Sequence, residues 1–214
     1  MDQNYYDHRA REYEEIYHRE DPVRRGELAD IASAMRMLLS GCRVLEVACG
    51  TGYWTEVAAE VAQHVVAVDI SADMLAVARS KGLPAEKVEF CQADSYMLNR
   101  VPGGFDAGLA NFWFSHVPKA RMNEFLDGFH RRLGSNAVVF MADNVYVRGI
   151  GGELIVRPGA EDTFKLRRLS DGSEHEILKN YYDEDELSSI LSPRAKHLQI
   201  SVGQCFWWVT YSVI

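Results

Sequence analysis

The sequence predicts an α/β fold: a doubly wound, mostly parallel sheet of seven strands with an inserted β-hairpin and N-terminal helices. Three observations carry this. Short apolar runs of strand length alternate with helical periodicity from Arg43 to Ala142. The first run enters a turn of small residues, Ala48-Cys49-Gly50-Thr51-Gly52, and the second ends on Asp69. Strands that alternate with helices pair in parallel, because a right-handed crossover returns the chain to the same sheet.

Taken in order, Tyr6, Tyr13 and Tyr17 fall on one face of a helix over Asp2 to Arg19. Asp21-Pro22 supplies an N-cap and first-turn proline for a second helix with the stripe Leu28, Ile31, Met35, Leu38 and Leu39, ended by Ser40-Gly41. Arg43 to Val47 is a strand, Thr51 to Ala62 a helix, His64 to Ile70 a strand and Ser71 to Ser80 a helix. Strands follow at Val88 to Gln92 and Phe105 to Asn111, then a helix at Lys119 to Leu133 and a strand at Ala137 to Ala142. Beyond residue 143, Phe164 to Leu169 and Glu174 to Tyr181 flank Ser-Asp-Gly-Ser and read as a hairpin. A helix at Glu184 to Leu191 and strands at Lys196 to Val202 and Cys205 to Val213 complete the order.

The length of 214 residues, 47% hydrophobic and 25% charged, suits one globular domain. Its expected parts are a helical lid over 1–40, a cofactor-binding core over 41–143, the hairpin insert over 144–182 and a closing helix and strands over 183–214. Lys and Arg number 23 against 31 Asp and Glu, a net charge of -8. That sign opposes the field a phosphate backbone needs and disfavours broad nucleic-acid binding. Cys42, Cys49, Cys91 and Cys205 show no CxxC pair and no ligand spacing, so neither metal nor redox pair is expected. The N-terminus is too polar and acidic for a signal or transit peptide, and no apolar run reaches membrane-spanning length. A cytoplasmic protein without a membrane partner is expected.

Small residues at 48, 50 and 52 let a ligand approach the backbone, and the helix that follows offers unpaired N–H groups. Asp69, at a strand end, can accept two hydrogen bonds from a ribose diol. Asp94 follows the third strand at the same sheet edge, where an adenine amino group can be met. The dinucleotide fingerprint G-x-G-x-x-G has Thr55 in place of its third glycine when begun at Gly50, and Ala48 in place of its first when begun two residues earlier.

Glu46-Val47-Ala48-Cys49-Gly50-Thr51-Gly52, Asp69, Asp94 and Phe105-Asp106-Ala107 together resemble the class I S-adenosylmethionine-dependent methyltransferases, a Rossmann-like family, across nearly the whole chain. The family places an antiparallel seventh strand beside the sixth, as the last two strands here allow. Ala48 departs from its usual glycine. The resemblance implies S-adenosylmethionine (SAM) as cofactor, with Glu46 orienting the loop, Ala48, Gly50 and Gly52 facing the methionine part and Asp69 the ribose. It implies Ile70 and Met74 at the adenine face, Asp94 and Ser95 at its edge, and Asn111 near the sulfonium. Tyr13, Tyr53, Trp54 and Trp113 can set π faces near that cation, or pack in the core.

The acceptor is read from two segments. His116, in the loop after the fourth strand, can take a proton, bind an anionic acceptor or cap the helix begun by Pro118-Lys119. Lys165, Arg167, Arg168 and Lys179 gather positive charge in the hairpin, where it lines a site or blunts a sheet edge, and only one of Arg167 and Arg168 can face inward. The Tyr5 to Tyr13 segment, Gly50 to Thr55, Trp113 with His116-Val117-Pro118, and Arg167 through Lys179 are similar to the phosphonate O-methyltransferases of dehydrophos type. That resemblance implies a pocket of Tyr5 or Tyr6, Arg9, Trp113, His116, Arg168 and Lys179 around a small anionic acceptor. A phosphonate, a carboxylate or a hydroxylated metabolite is expected, with O-methylation. The rival readings are a nicotinamide-dependent oxidoreductase, an RNA-modifying methyltransferase and a partner subunit with a vestigial site. The N-terminal helix is expected to close over the site, with Tyr13 near the sulfonium.

Overall fold

The computed structural model describes residues 14, 17, 20–150, 152–169 and 172–214. Most of the expected first helix, and Tyr5, Tyr6, Arg9 and Tyr13 with it, lies outside the described residues. The chain runs through α1 (Pro22–Leu39), β1 (Arg43–Val47), α2 (Tyr53–Val61), β2 (His64–Asp69), α3 (Ala72–Ser80), β3 (Val88–Gln92) and β4 (Phe105–Asn111). Then come α4 (Met122–His130), β5 (Leu133–Asn144), β6 (Leu154–Val156), β7 (Thr163–Arg168), β8 (Glu174–Leu178), α5 (Glu184–Leu191), β9 (Ala195–Val202) and β10 (Phe206–Val213).

Local chemistry explains the element ends. Asp21 caps α1 by accepting the N–H groups of Val23 and Arg24 at 3.0 and 3.1 Å, with Pro22 in the first turn. Asp183 and Glu186 form a reciprocal capping box at the start of α5.

The main sheet has the order β3-β2-β1-β4-β5-β10-β9. Strands β1 to β5 pair in parallel, and β10 is antiparallel to both β5 and β9. Strand order reverses between β1 and β4, which opens the crevice at the carboxyl edge where such sheets bind ligands. Alternate side chains feed two cores. Val44, Val65 and Ala67 pack with Ile31, Met35 and Ala58 from α1 and α2, whereas Leu45, Val47, Val66 and Val68 share a core with Phe125, Phe129 and Leu187. No described helix is long and apolar enough to cross a membrane.

Two elements differ from expectation. The helix expected over Lys119 to Leu133 splits into a 3-10 turn at Lys119–Arg121 and α4, while Leu133 opens β5 opposite Phe105. Leu133 prolongs the four-residue apolar spacing of Phe125 and Phe129, and that hides the break. The hairpin is a three-stranded antiparallel sheet, because β6 pairs with β7 from Leu154 opposite Lys165 to Val156 opposite Thr163. Asn180 N donates to Ser115 O at 2.8 Å and Lys119 N to Asp162 Oδ1 at 2.9 Å, docking the small sheet beside the loop after β4.

Candidate active site

The loop from β1 to α2 turns through three left-handed residues, Ala48, Gly50 and Gly52, at φ 52°, 55° and 79°. Glycine takes this conformation at no steric cost, whereas at Ala48 it costs roughly 1 kcal/mol. A Cβ at Gly52 would come 3.1 Å from that of Ala78, so Gly52 lets α2 start against α3. Beneath the loop, Thr55 Oγ1 donates to Glu46 Oε2 at 2.6 Å. Burial pushes the Glu46 carboxyl up to about 8, leaving it largely neutral at pH 7.

Asp69 joins the loop to the second strand. Its Oδ2 accepts from Gly50 N and its Oδ1 from Ser71 N, both at 2.9 Å. Beside it lies a cavity of about 170 Å³. Ala48 and Gly50 line one side and Asp69, Ile70, Ser71 and Met74 the next; Asp94, Ser95 and Tyr96 follow β3, and Phe112, Trp113 and His116 follow β4. Arg121 closes the set, its guanidinium 3.6 Å from the Tyr96 ring centroid and held by both oxygens of Glu124 at 2.8 Å.

Nine residues singled out from the sequence therefore share this wall: Ala48, Gly50, Asp69, Ile70, Met74, Asp94, Ser95, Trp113 and His116. Ser71, Tyr96, Phe112 and Arg121 were not anticipated. Phe112 carries a signal only in its backbone, a left-handed φ of 56° for a bulky residue directly after β4.

Other residues take different places. Glu46 and Gly52 support the loop from behind. Trp54 is buried, stacked on Phe112 at 5.8 Å and in edge contact with Tyr17 at 5.9 Å, so it backs the cavity wall and does not line it. Asn111, expected near the sulfonium, ends β4 beside the cavity-lining Phe112, with its Nδ2 3.1 Å from Sδ of Met35 in α1. Arg168 is exposed opposite Glu174, so strand parity turns Arg167, not Arg168, toward His116, whose pKa it helps lower. Lys165 is turned onto the carbonyls of Ile150 and Gly152 at 3.3 and 2.7 Å.

Lys179 does not reach the cavity either. Only 4% exposed, it bonds Ser115 Oγ at 2.6 Å and Asp143 Oδ1 at 3.0 Å. Burial would raise the Asp143 carboxyl, but the Lys179 charge together with His116 and the hydrogen bonds from Ser115 N and Asn144 outweighs it and holds that carboxyl below the ordinary range. His116 Nδ1 lies 2.9 Å from Leu178 O. Burial, with the charge of Lys179 added, pushes this imidazole down to about 3.

The N-terminal segment reaches the site through two described residues. Tyr17 stacks on Tyr53 at 4.0 Å and 8°, and Glu14 Oε1 accepts from Thr51 Oγ1 at 2.8 Å. Lys81 bridges Glu14 and Glu56. Among the described residues, no group of three His, Cys, Asp or Glu side chains is placed to hold a metal ion.

Residues 44–136 match the methyltransferase domain family. Over 99% of this chain and 94% of the other, the fold superposes on the complex of DhpI, a dehydrophos O-methyltransferase, with SAH, at a TM-score of 0.74 and 27% identity. Residues 44–136 are a methyltransferase domain, and the fold as a whole is that of the SAM-dependent methyltransferases. The complex of DhpI with SAM and HEP gives a TM-score of 0.72 at 28% identity, over 97% of this chain and 94% of that one. Among curated relatives of the chain, the ubiquinone biosynthesis O-methyltransferase of Xylella fastidiosa is 36% identical over 166 residues, 77% of this chain. The demethylmenaquinone methyltransferase of Clavibacter sepedonicus is 32% identical over 161 residues, 72% of this chain. The chain spans about 64% of the length of each of these two relatives.

The cavity fits the cofactor of the class I methyltransferases. Asp69 presents a carboxylate where a ribose needs one, Ala48 and Gly50 present backbone without bulk, and Ile70 with Met74 forms an apolar wall for a purine. Thr55, bonded to Glu46, stands where a dinucleotide fold needs glycine, which disfavours NAD.

Proposed function

We propose that this chain transfers the methyl group of SAM to an oxygen atom of a small hydroxylated metabolite, with His116 as proton acceptor. One observation carries the reading: His116 lines the cavity with its Nδ1 bonded to the Leu178 carbonyl. A carbonyl only accepts, so Nδ1 holds the proton and Nε2 is the basic nitrogen of the neutral ring. Bound beside Asp69, the cofactor supplies an electrophilic methyl group. His116 Nε2 accepts the hydrogen bond of the acceptor hydroxyl and takes its proton as the O–CH3 bond forms, when that proton becomes strongly acidic, and Phe112 and Trp113 exclude water around it. Ala48, Gly50 and Asp69 hold the methionine and ribose parts, and Asp94 and Ser95 hold the adenine edge. Residues 1–20 act as a lid, a role supported by the contacts of Glu14 with Thr51 and Tyr17 with Tyr53. The Xylella relative, an O-methyltransferase, supports oxygen as the acceptor atom.

An acidic acceptor, phosphonate or carboxylate, is the second reading. It draws on Arg167, whose charge reaches His116, and on Arg121 in the cavity wall. Such an oxygen is already nucleophilic and needs charge balance, not a base.

Labelled SAM offered with hydroxylated compounds and, separately, with phosphonates and carboxylates tests both readings. For a hydroxyl acceptor, His116→Asn lowers kcat by ~10²-fold or more while Arg167→Gln has little effect. The reverse pattern supports the acidic acceptor. Transfer that is indifferent to His116 and Arg167 contradicts both.

A further inference from the structure

Residues 178–180, at the end of β8, are fastened to residues 115–117 by bonds of different kinds. Besides the Leu178–His116 bond, Asn180 N donates to Ser115 O at 2.8 Å and Asn180 Nδ2 to Val117 O at 3.2 Å. Between them Lys179 sends its ammonium into the interior, onto Ser115 Oγ and Asp143 Oδ1. Asp143 also accepts from Ser115 N at 2.9 Å, so one buried carboxylate holds both the loop after β4 and the strand of the small sheet. The ammonium is bonded to one carboxylate and one hydroxyl, and Lys179 is not among the described residues that line the cavity.

We infer that Lys179 is a positioning residue for His116: anchored on Ser115 and Asp143, it holds the Leu178 carbonyl against His116 Nδ1 and so keeps Nε2 as the acceptor nitrogen at the cavity. The use of that nitrogen rests on the proposed O-methylation; the positioning itself does not. The alternative for Lys179, a ligand for an acidic acceptor, would place its ammonium in a cavity wall; Lys179 is not among the described residues lining the cavity beside Asp69.

Among the described residues, the charged groups that bear on the ring are Lys179 just after β8, Asp143 from β5 and Arg167 from β7. Lys179 and Arg167 disfavour the imidazolium and Asp143 favours it. In water a neutral imidazole keeps no single tautomer; here the Leu178 carbonyl selects one. Removing the anchor therefore does two things: it frees the ring to exchange tautomers, and it removes a positive charge that opposes protonation.

Nitrogen NMR of the protein labelled at its histidine side chains reads both effects without any acceptor. His116→Asn identifies the resonance. In the wild type the ring is expected as a single Nδ1–H tautomer that resists protonation well below the ordinary 6.5. Lys179→Met is expected to give a mixture of tautomers and a midpoint moved up toward 6.5. Because that change leaves Asp143 buried without its ion pair, the double variant Lys179→Met/Asp143→Asn removes both charges and serves if the single variant unfolds. An unchanged Nδ1–H tautomer in the folded double variant overturns the inference, as does an Nε2–H tautomer in the wild type. Titration with S-adenosylhomocysteine separates the two proposals. The Lys179 variants are expected to bind it as the wild type does, and a wild type that fails to bind it counts against the methyltransferase reading alone.

Discussion

Gly50 N donates to Asp69 Oδ2 at 2.9 Å, so the loop that leaves β1 is tied to the carboxylate that ends β2. The tie makes one rigid unit of the two parts expected to hold the cofactor. Ala48, two residues before that bond, is strained at φ 52°. Ala48→Gly should relieve the strain, raising stability by about 1 kcal/mol and Tm by ~3 °C, with cofactor affinity preserved. A lower Tm in thermal melts contradicts this account of the turn.

Glu46 gives the pH dependence of stability a definite sign. Its carboxyl is raised from 4.5 to about 8 by burial, so the folded state keeps a proton that the unfolded chain releases. The stability this contributes is complete below the unfolded value and is lost as pH rises through the folded value near 8. Glu46→Gln keeps an acceptor for Thr55 and has no proton to lose. Urea unfolding at several pH values should show the variant gaining on the wild type by a few kcal/mol, order of magnitude, between pH ~5 and ~8. Parallel curves across that window contradict a buried neutral Glu46.

Much of this was legible in the sequence. The runs at 43–47, 64–69, 88–92 and 105–111 are bounded by turn residues, so four parallel strands and the acidic ends at Asp69 and Asp94 could be placed without coordinates. What escaped shares a physical cause: the deciding partner lies far along the chain. Strand parity says that only one of Arg167 and Arg168 faces inward but not which one, and the answer depends on the register of β7 with β8. Lys179 reads as a pocket or sheet-edge cation because its partner, Asp143, is 36 residues away. Asn111 is drawn to Met35 by an α1 packing that no local pattern announces. The three residues of β6 are too few to display a period of two.

Tyr17 is one of the two described links between the N-terminal segment and the site. It is 6% exposed and touches Tyr53, Trp54 and Phe112, the last of which lines the site. Tyr17→Ala should cost about 3 kcal/mol and weaken cofactor binding several-fold through the loosened Phe112. Removal of residues 1–20 should abolish turnover while the domain still folds. Full activity after that truncation sinks the lid.

His116, held down to about 3, stays neutral across the physiological range. Its basic nitrogen is therefore available at every pH where the protein is folded, and kcat/KM for a hydroxylated acceptor should stay level from pH ~8 down to ~5 with no inflection near the unperturbed imidazole value. A rate that falls with an apparent pKa near 6.5 would show a solvated, titrating ring and contradict the buried contact with Leu178.

The central claim is that the crevice at Ala48, Gly50 and Asp69 holds the adenosyl cofactor of a methyltransferase. Calorimetric titration tests it most directly, with S-adenosylhomocysteine and NADH as ligands for the wild type and Asp69→Ala. One site for S-adenosylhomocysteine is predicted, weakened by ~10–100-fold in the variant, with no binding of NADH. Binding of NADH alone, or S-adenosylhomocysteine affinity unchanged by the loss of Asp69, would contradict it.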